Sequence, residues 1–200
     1  MKQSDKEIFL QLIVGNIIFA VIAIVLLNIT SSKNIFVSIT HLFSLQEGVF
    51  SLIVGLVGFF AVSLYTFIVI KAGKGYFPNT KGSNVIVQLV NNKELSLIGI
   101  VLLPSILEEF LFRGVIQPLM IEMFNPFWGV IMTAFLFMLV HISDQYKGQP
   151  FLLFHTFWLG IITGVAFMIT ENLWASIMIH LLNNYWSVKK IRDGEIGIQY

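Results

Sequence analysis

Three short patterns in this chain carry side chains able to move protons. They are Glu108-Glu109-Phe110-Leu111-Phe112-Arg113, Phe137-Met138-Leu139-Val140-His141 and His180-Leu181-Leu182-Asn183-Asn184. In each, two members stand four residues apart, which puts them on one face of a helix. Glu109 can therefore pair with Arg113. Glu108 lies about 100° further round the axis and has no partner within its own cluster. Two adjacent carboxylates in unlike surroundings can take different roles. A Glu–His pair can draw a proton from water, and a second His with an Asn amide can donate to a developing oxyanion. Glu108, His141, His180 and Asn184 are thus candidate catalytic residues for hydrolysing a peptide bond without a Ser or Cys nucleophile. Each pattern also has a plainer reading: a Glu–Arg pair at a helix end, an interfacial His, and polar glue between helices. The chain has no Cys, which removes thiolate nucleophiles, Cys-ligated zinc and iron–sulfur clusters.

The segments that must position these groups are apolar. Of the 200 residues, 56% are hydrophobic and only 12% charged, against about 25% charged in a soluble domain. Too few charges are present to cover a water-facing surface, so soluble, disordered, fibrous and coiled-coil classes are excluded and an integral membrane protein remains. Net charge is +1 with Lys and Arg scattered, so nucleic acid is not an expected partner. Six apolar stretches stand out: Ile8–Ile29, Val49–Ile70, Leu95–Phe112, Phe127–His141, Phe151–Ile169 and Leu173–Val188. They are apolar all round rather than alternating, which predicts helices and not barrel strands. The first is too long for a signal peptide and lacks a small-residue cleavage site at Leu26-Leu27-Asn28. The expected fold is an all-α polytopic bundle of about six transmembrane helices.

With the N-terminus in the cytoplasm, the inner side collects Lys2, Lys6, Lys71, Lys74, Lys81, Lys93, Lys147, Lys189, Lys190 and Arg192. The outer side holds only Lys33 and Arg113. That asymmetry places both termini inside. Lys71–Asn92, with its Gly, Pro, Asn and Lys, reads as a cytoplasmic loop and is the one internal boundary. The chain divides into two N-terminal helices and loop (1–92), a helical core (93–190) and a C-terminal tail (191–200). Ionisable groups within spans are costly, so the three clusters are expected to face one polar cavity reached from one side. By helix rise, Glu108 and His180 lie about 20 Å from the inner face and His141 about 10 Å closer to it. His155 reads as packing and His41 as peripheral.

In order, and each in its own apolar segment, the three patterns resemble the motif set of the CPBP family, the CAAX proteases and bacteriocin-processing (Abi-type) enzymes: EExxxR, FxxxH and HxxxN or HxxxD. Phe112-Arg113-Gly114 and Leu173-Trp174-Ala175-Ser176 extend the likeness, which spans Leu95–Trp186. The resemblance implies an intramembrane endopeptidase of a multi-pass bacterial cell-membrane protein. It implies Glu108 as general base, His141 as its helper in activating water, Glu109 and Arg113 as helix supports, and His180 with Asn184 as the oxyanion site. Its implied partners are the lipid bilayer and a peptide or membrane-protein substrate. Peptide maturation, self-immunity and regulation are the roles that follow. The chain is shorter than the eukaryotic prenyl-CAAX enzymes, which argues against prenylated substrates. A zinc mechanism would use Glu108, His141 and His180 as ligands, but HExxH spacing is absent, and a metal-free glutamate mechanism with no cofactor is expected. Two rival readings keep the same residues: a non-catalytic membrane adaptor, and a transporter with a proton relay, for which no inverted repeat is evident.

Overall fold

The structure, a computed structural model, describes residues 3–30, 35–45, 48–73, 75–143, 146 and 148–199. Lys2, Lys33, Lys74 and Lys147, used above to orient the chain, lie outside the described residues. The helices are α1 (Gln3–Thr30), α2 (Ile35–Leu42), α3 (Gly48–Lys71), α4 (Lys81–Asn91), α5 (Lys93–Met123), α6 (Pro126–Val140), α7 (Pro150–Thr170) and α8 (Trp174–Arg192). Two short strands, β1 (Phe77–Pro78) and β2 (Ile198–Gln199), pair in parallel. The described residues are all-α apart from that pair.

Among the described residues, four helices are long and apolar enough to cross a membrane: α1 over Phe9–Thr30, α3, α5 and α7. The other two expected spans differ in kind. Helix α6 is apolar but has 15 residues, about 22 Å at 1.5 Å per residue, short of a hydrocarbon core of about 30 Å. Helix α8 has 19 residues but carries His180, Asn183 and Asn184 along its middle and ends in Lys189, Lys190 and Arg192. Its polar residues are turned into the bundle, where His180 and Asn183 are buried.

Helix α5 departs most from expectation. The sequence reading ended this segment at Phe112, yet it runs on to Met123. Arg113 reads as a helix-end charge, but it is fully buried against Glu109. The count that gave Arg113 to the outer loops is corrected accordingly. Glu108 and Glu109 thus sit at mid-helix. Each flank contains a stretch of wider π-helix, Leu97–Leu102 and Phe112–Ile116, and each stretch is followed closely by a proline, Pro104 and Pro118. Proline has no N–H and its ring crowds the carbonyl four residues back, so the backbone shifts to i→i−5 bonding there. Leu103 N–H bonds Ile98 O, and Gln117 N–H bonds Phe112 O.

Lys71–Asn92, read as a loop, contains β1 and α4. Thr80 caps α4, its hydroxyl accepting from Ser83 N–H at 3.2 Å. The C-terminal segment is tied to this end of the bundle. Arg192 donates to Val90 O at 2.7 Å and to Ser96 Oγ at 2.6 Å, Ile196 is buried, and β2 pairs with β1.

The core holds Phe110, Phe112, Phe137, Leu159, Leu173 and Ile179. Small residues let the helices approach closely, as in membrane bundles generally. A Cβ on Gly160 of α7 would lie 3.0 Å from Ala134 Cα of α6. A Cβ on Gly58 of α3 would lie 2.4 Å from Ile179 Cδ1 of α8.

Candidate active site

The helix geometry of α5 sends its two carboxylates in different directions. Glu109 is fully buried. Its Oε1 lies 2.8 Å from His180 Nδ1, and its Oε2 lies 3.1 Å from Arg113 Nε. Arg113 in turn donates from Nε to Thr163 Oγ1 at 3.0 Å, from Nη2 to the same hydroxyl, and from Nη2 to Gly160 O at 3.4 Å. Its guanidinium carbon stands 4.8 Å from the centre of the Phe137 ring. Helices α5, α7 and α8 are joined here by one buried ionic network. Such a charge is tolerated in a low dielectric only when paired and hydrogen-bonded.

Glu108 faces the other way, toward His141 at the end of α6. Its Oε2 lies 3.5 Å from His141 Nε2. That is the outer limit of a hydrogen bond, as is common for acid–base pairs before substrate binds. His141 Nδ1 lies 2.7 Å from Phe137 O. A carbonyl only accepts, so Nδ1 carries the proton and Nε2 is left for Glu108. One shared proton makes this contact attractive. The difference of about 10 Å in depth inferred from the sequence between Glu108 and His141 is absent. Glu108 is one helical face of a long α5, and α6 ends beside it.

For His180 the same logic gives a different result. Glu109, paired with Arg113, accepts from Nδ1–H, which orients the ring and leaves Nε2 free. Nε2 is an acceptor in the neutral ring and a donor only when the ring is doubly protonated. Asn184 has a structural commitment that the sequence reading lacked. Its Nδ2 donates to Ile100 O at 3.0 Å, the carbonyl that Pro104 leaves without its i+4 donor. Its other near partner, Ser105 Oγ, is 3.5 Å away, so the second amide hydrogen is weakly engaged.

Glu108, His141, His180 and Asn184 all line one cavity of about 420 Å³. The cavity extends to the end of the bundle where Phe77, Tyr146 and Ile196 also line it. Beyond the expected site residues, Thr163, Asn183 and His155 take part. Thr163 anchors Arg113, and its signal is the pair of glycines four residues apart, Gly160 and Gly164, beside it. Asn183 is buried and lines the cavity, but beside Asn184 it carried no spacing of its own. His155, read as packing, does stack on Tyr65 (centroids 6.1 Å apart) and also lines the cavity. His41 is exposed, beside a shallow depression at the opposite end of the bundle. Among the described residues, no three His, Cys, Asp or Glu side chains are disposed to hold a metal ion.

A bundle of apolar helices with a buried Glu–His pair on a cavity, backed by a second carboxylate paired with Arg, defines a membrane-embedded protein with acid–base machinery. The family model described as Rce1-like, type II CAAX prenyl endopeptidase Rce1-like, matches residues 91–186. That stretch holds all three patterns, and the match supports the CPBP/CAAX protease family, a family of intramembrane proteases. No curated protein and no solved structure matches the chain.

Proposed function

We propose that the chain is an intramembrane endopeptidase that hydrolyses a peptide bond by glutamate-activated water. The observation that carries this reading is the division of labour on α5. Glu109 is consumed by Arg113 and His180, while Glu108 faces His141 on the cavity. In this mechanism the Glu108–His141 pair takes a proton from water as its oxygen attacks the scissile carbonyl carbon. A C–O bond forms, and the carbonyl oxygen becomes an oxyanion. The second amide hydrogen of Asn184, and His180 where its Nε2 carries a proton, donate to that oxyanion. The pair then returns its proton to the leaving nitrogen as the C–N bond breaks, giving a carboxylic acid and an amine. Arg113 and Glu109 are positioning residues that fix His180.

The substrate class we assign is a peptide or membrane protein within the bilayer of a bacterial cell membrane, approached from the cytoplasmic side where both termini lie. Maturation of a bacteriocin-like peptide, or self-immunity to one, fits that class. The test is comparative peptide profiling of membranes carrying wild type or Glu108→Ala. Peptides that appear only with Glu108 support the reading, and identical profiles refute it. One observation favours the adaptor reading: Asn184 is bonded to backbone as inter-helix glue. An adaptor keeps its partner binding in Glu108→Gln, whereas a protease loses turnover there.

A further inference from the structure

The cavity ends against a strap formed by the chain's own residues after α8. Helix α8 stops at Arg192, and Gly194, at φ 73°, takes the left-handed conformation that reverses the chain. Glu195 N–H and Ile196 N–H both bond Lys190 O, at 3.0 and 3.2 Å. The reversal brings Ile196 back to the cavity, which it lines with Phe77 and Tyr146 and where it is 7% exposed. Gly197 O then accepts from Phe77 N–H at 2.8 Å, and Ile198 and Gln199 run parallel to Phe77 and Pro78. The contacts that hold this strap are few. A two-residue pair has little stability of its own, Pro78 has no N–H to add to it, and the Lys190–Glu195 ion pair at 2.6 Å is partly exposed. Over residues 195–198, Ile196 is the one that is buried. Arg192, by contrast, is fixed to Val90 O and Ser96 Oγ. The strap can therefore lift by turning at Asp193 and Gly194 while α8 keeps His180 and Asn184 in place.

What the strap covers has the shape of a peptide seat. When the strap lifts, Phe77 N–H needs an acceptor and the place of the Ile196 side chain needs an apolar group. An extended chain supplies both, a main-chain carbonyl and a side chain, and the present occupant is itself such a segment. The seat also lies at a usable distance from the Glu108–His141 pair. Arg192 follows His180 by twelve residues, about 18 Å along α8 at 1.5 Å per residue. An extended peptide advances about 3.3 Å per residue, so it covers that span in about five or six. We infer that β1 is a strand-addition seat for the main chain of the substrate, and that residues 196–199 hold it as an internal competitor. The inference rests on the peptide substrate of the proposed function. It adds a subsite for an apolar residue about five or six positions from the scissile bond, and a closed state in which the strap excludes substrate.

The probe is the strap's own sequence, a fluorescein-labelled peptide of residues 194–199, Gly-Glu-Ile-Gly-Ile-Gln. It is titrated against the chain in nanodiscs, with empty nanodiscs as the blank. Tethering gives the strap a local concentration of about millimolar, so the unaltered chain is expected to bind the probe weakly. Ile196→Ser removes the anchor and is expected to raise probe affinity about ten- to hundredfold, the value of burying one large aliphatic side chain. Phe77→Cys with Ile198→Cys, added to Ile196→Ser, sets a disulfide between register partners in a chain with no other Cys. Oxidation is expected to abolish the gain and reduction to restore it. An affinity unchanged by Ile196→Ser overturns the inference, and so does a gain that survives the closed disulfide. The first comparison stands alone where the cysteine pair does not fold. The cysteine pair without Ile196→Ser is then carried into the membrane peptide profiling, where Glu108-dependent peptides are expected to disappear on oxidation and return on reduction. Glu108-dependent peptides that persist with the disulfide closed sink the seat alone. A probe that follows the disulfide, with no Glu108-dependent peptide, sinks the protease reading alone.

Discussion

Replacing Glu109 by Gln removes one negative charge from a network that has no access to solvent. Arg113 is fully buried, and Glu109 is the carboxylate it contacts, Nε to Oε2 at 3.1 Å. Its remaining partners, Thr163 Oγ1 and Gly160 O, are neutral. Breaking a buried pair by removing one partner costs about 3–5 kcal/mol, a factor of about 10²–10⁴ in the folded population. Replacing both charges by groups of similar volume is often neutral. Glu109→Gln should therefore lower folded protein sharply, while Glu109→Gln with Arg113→Met should recover much of it. In the double variant the Gln carbonyl still accepts from His180 Nδ1–H, so His180 stays oriented. The assay is reversible unfolding in mixed micelles at increasing SDS, followed by Trp fluorescence, on wild type, both single variants and the double. A coupling below about 1 kcal/mol, the value of an exposed pair, would refute the claim that this pair holds α5 against α7 and α8.

Glu108→Gln should leave that unfolding curve unchanged within about 1 kcal/mol, since Glu108 has only the 3.5 Å contact to His141, and should abolish turnover; a loss of folded protein matching that of Glu109→Gln counts against separate roles. Asn184→Ala should lower turnover by about 10²–10³ as a lost oxyanion donor, and separately cost about 1–3 kcal/mol because Ile100 O loses its partner; a drop in stability with kcat intact would make Asn184 structural only. Gly160→Ala should cost about 1–3 kcal/mol by pushing α7 from Ala134, whereas Gly15→Ala, with nothing within 4 Å of the added carbon, should be silent; equal effects in the unfolding assay would contradict the close α6–α7 packing. Activity of the purified chain should not follow its zinc content across chelation and reloading; activity rising one-to-one with bound zinc would replace the glutamate mechanism by a metal site.

The pairs of the site were legible because a spacing of four has one meaning on a helix. Glu109 with Arg113, and Phe137 with His141, meet as that rule requires. The division between Glu108 and Glu109 was legible for the same reason. What the spacing could not show is set by contacts far apart in sequence. Asn184 meets Ile100 across 84 positions, and that bond exists because Pro104 frees a carbonyl, a fact of α5 invisible from α8. Arg113 misled because an arginine in an apolar run normally marks a helix end, and only Glu109, Thr163 and Gly160 together let it stay inside. Helix α4 was missed because its Gly, Ser and Asn read as a loop. Its apolar side becomes meaningful only against the ends of α5 and α8, where Val90, Val101 and Val188 pack together.

Phe137 shows why these parts form one device rather than four neighbouring residues. Its ring lies 4.6 Å from His141, 5.8 Å from His180 and 5.0 Å from Phe112, centroid to centroid, with the Arg113 guanidinium carbon 4.8 Å from its centre. Its carbonyl fixes the His141 proton on Nδ1. One fully buried aromatic residue thus touches both the Glu108–His141 pair, through His141, and the Glu109–Arg113–His180 network, through Arg113 and His180. The sequence pattern names Phe137 only as the residue one turn before a histidine. The packing makes it the shared neighbour of both histidines and of Arg113, so its ring holds the partners of the two carboxylates in one arrangement.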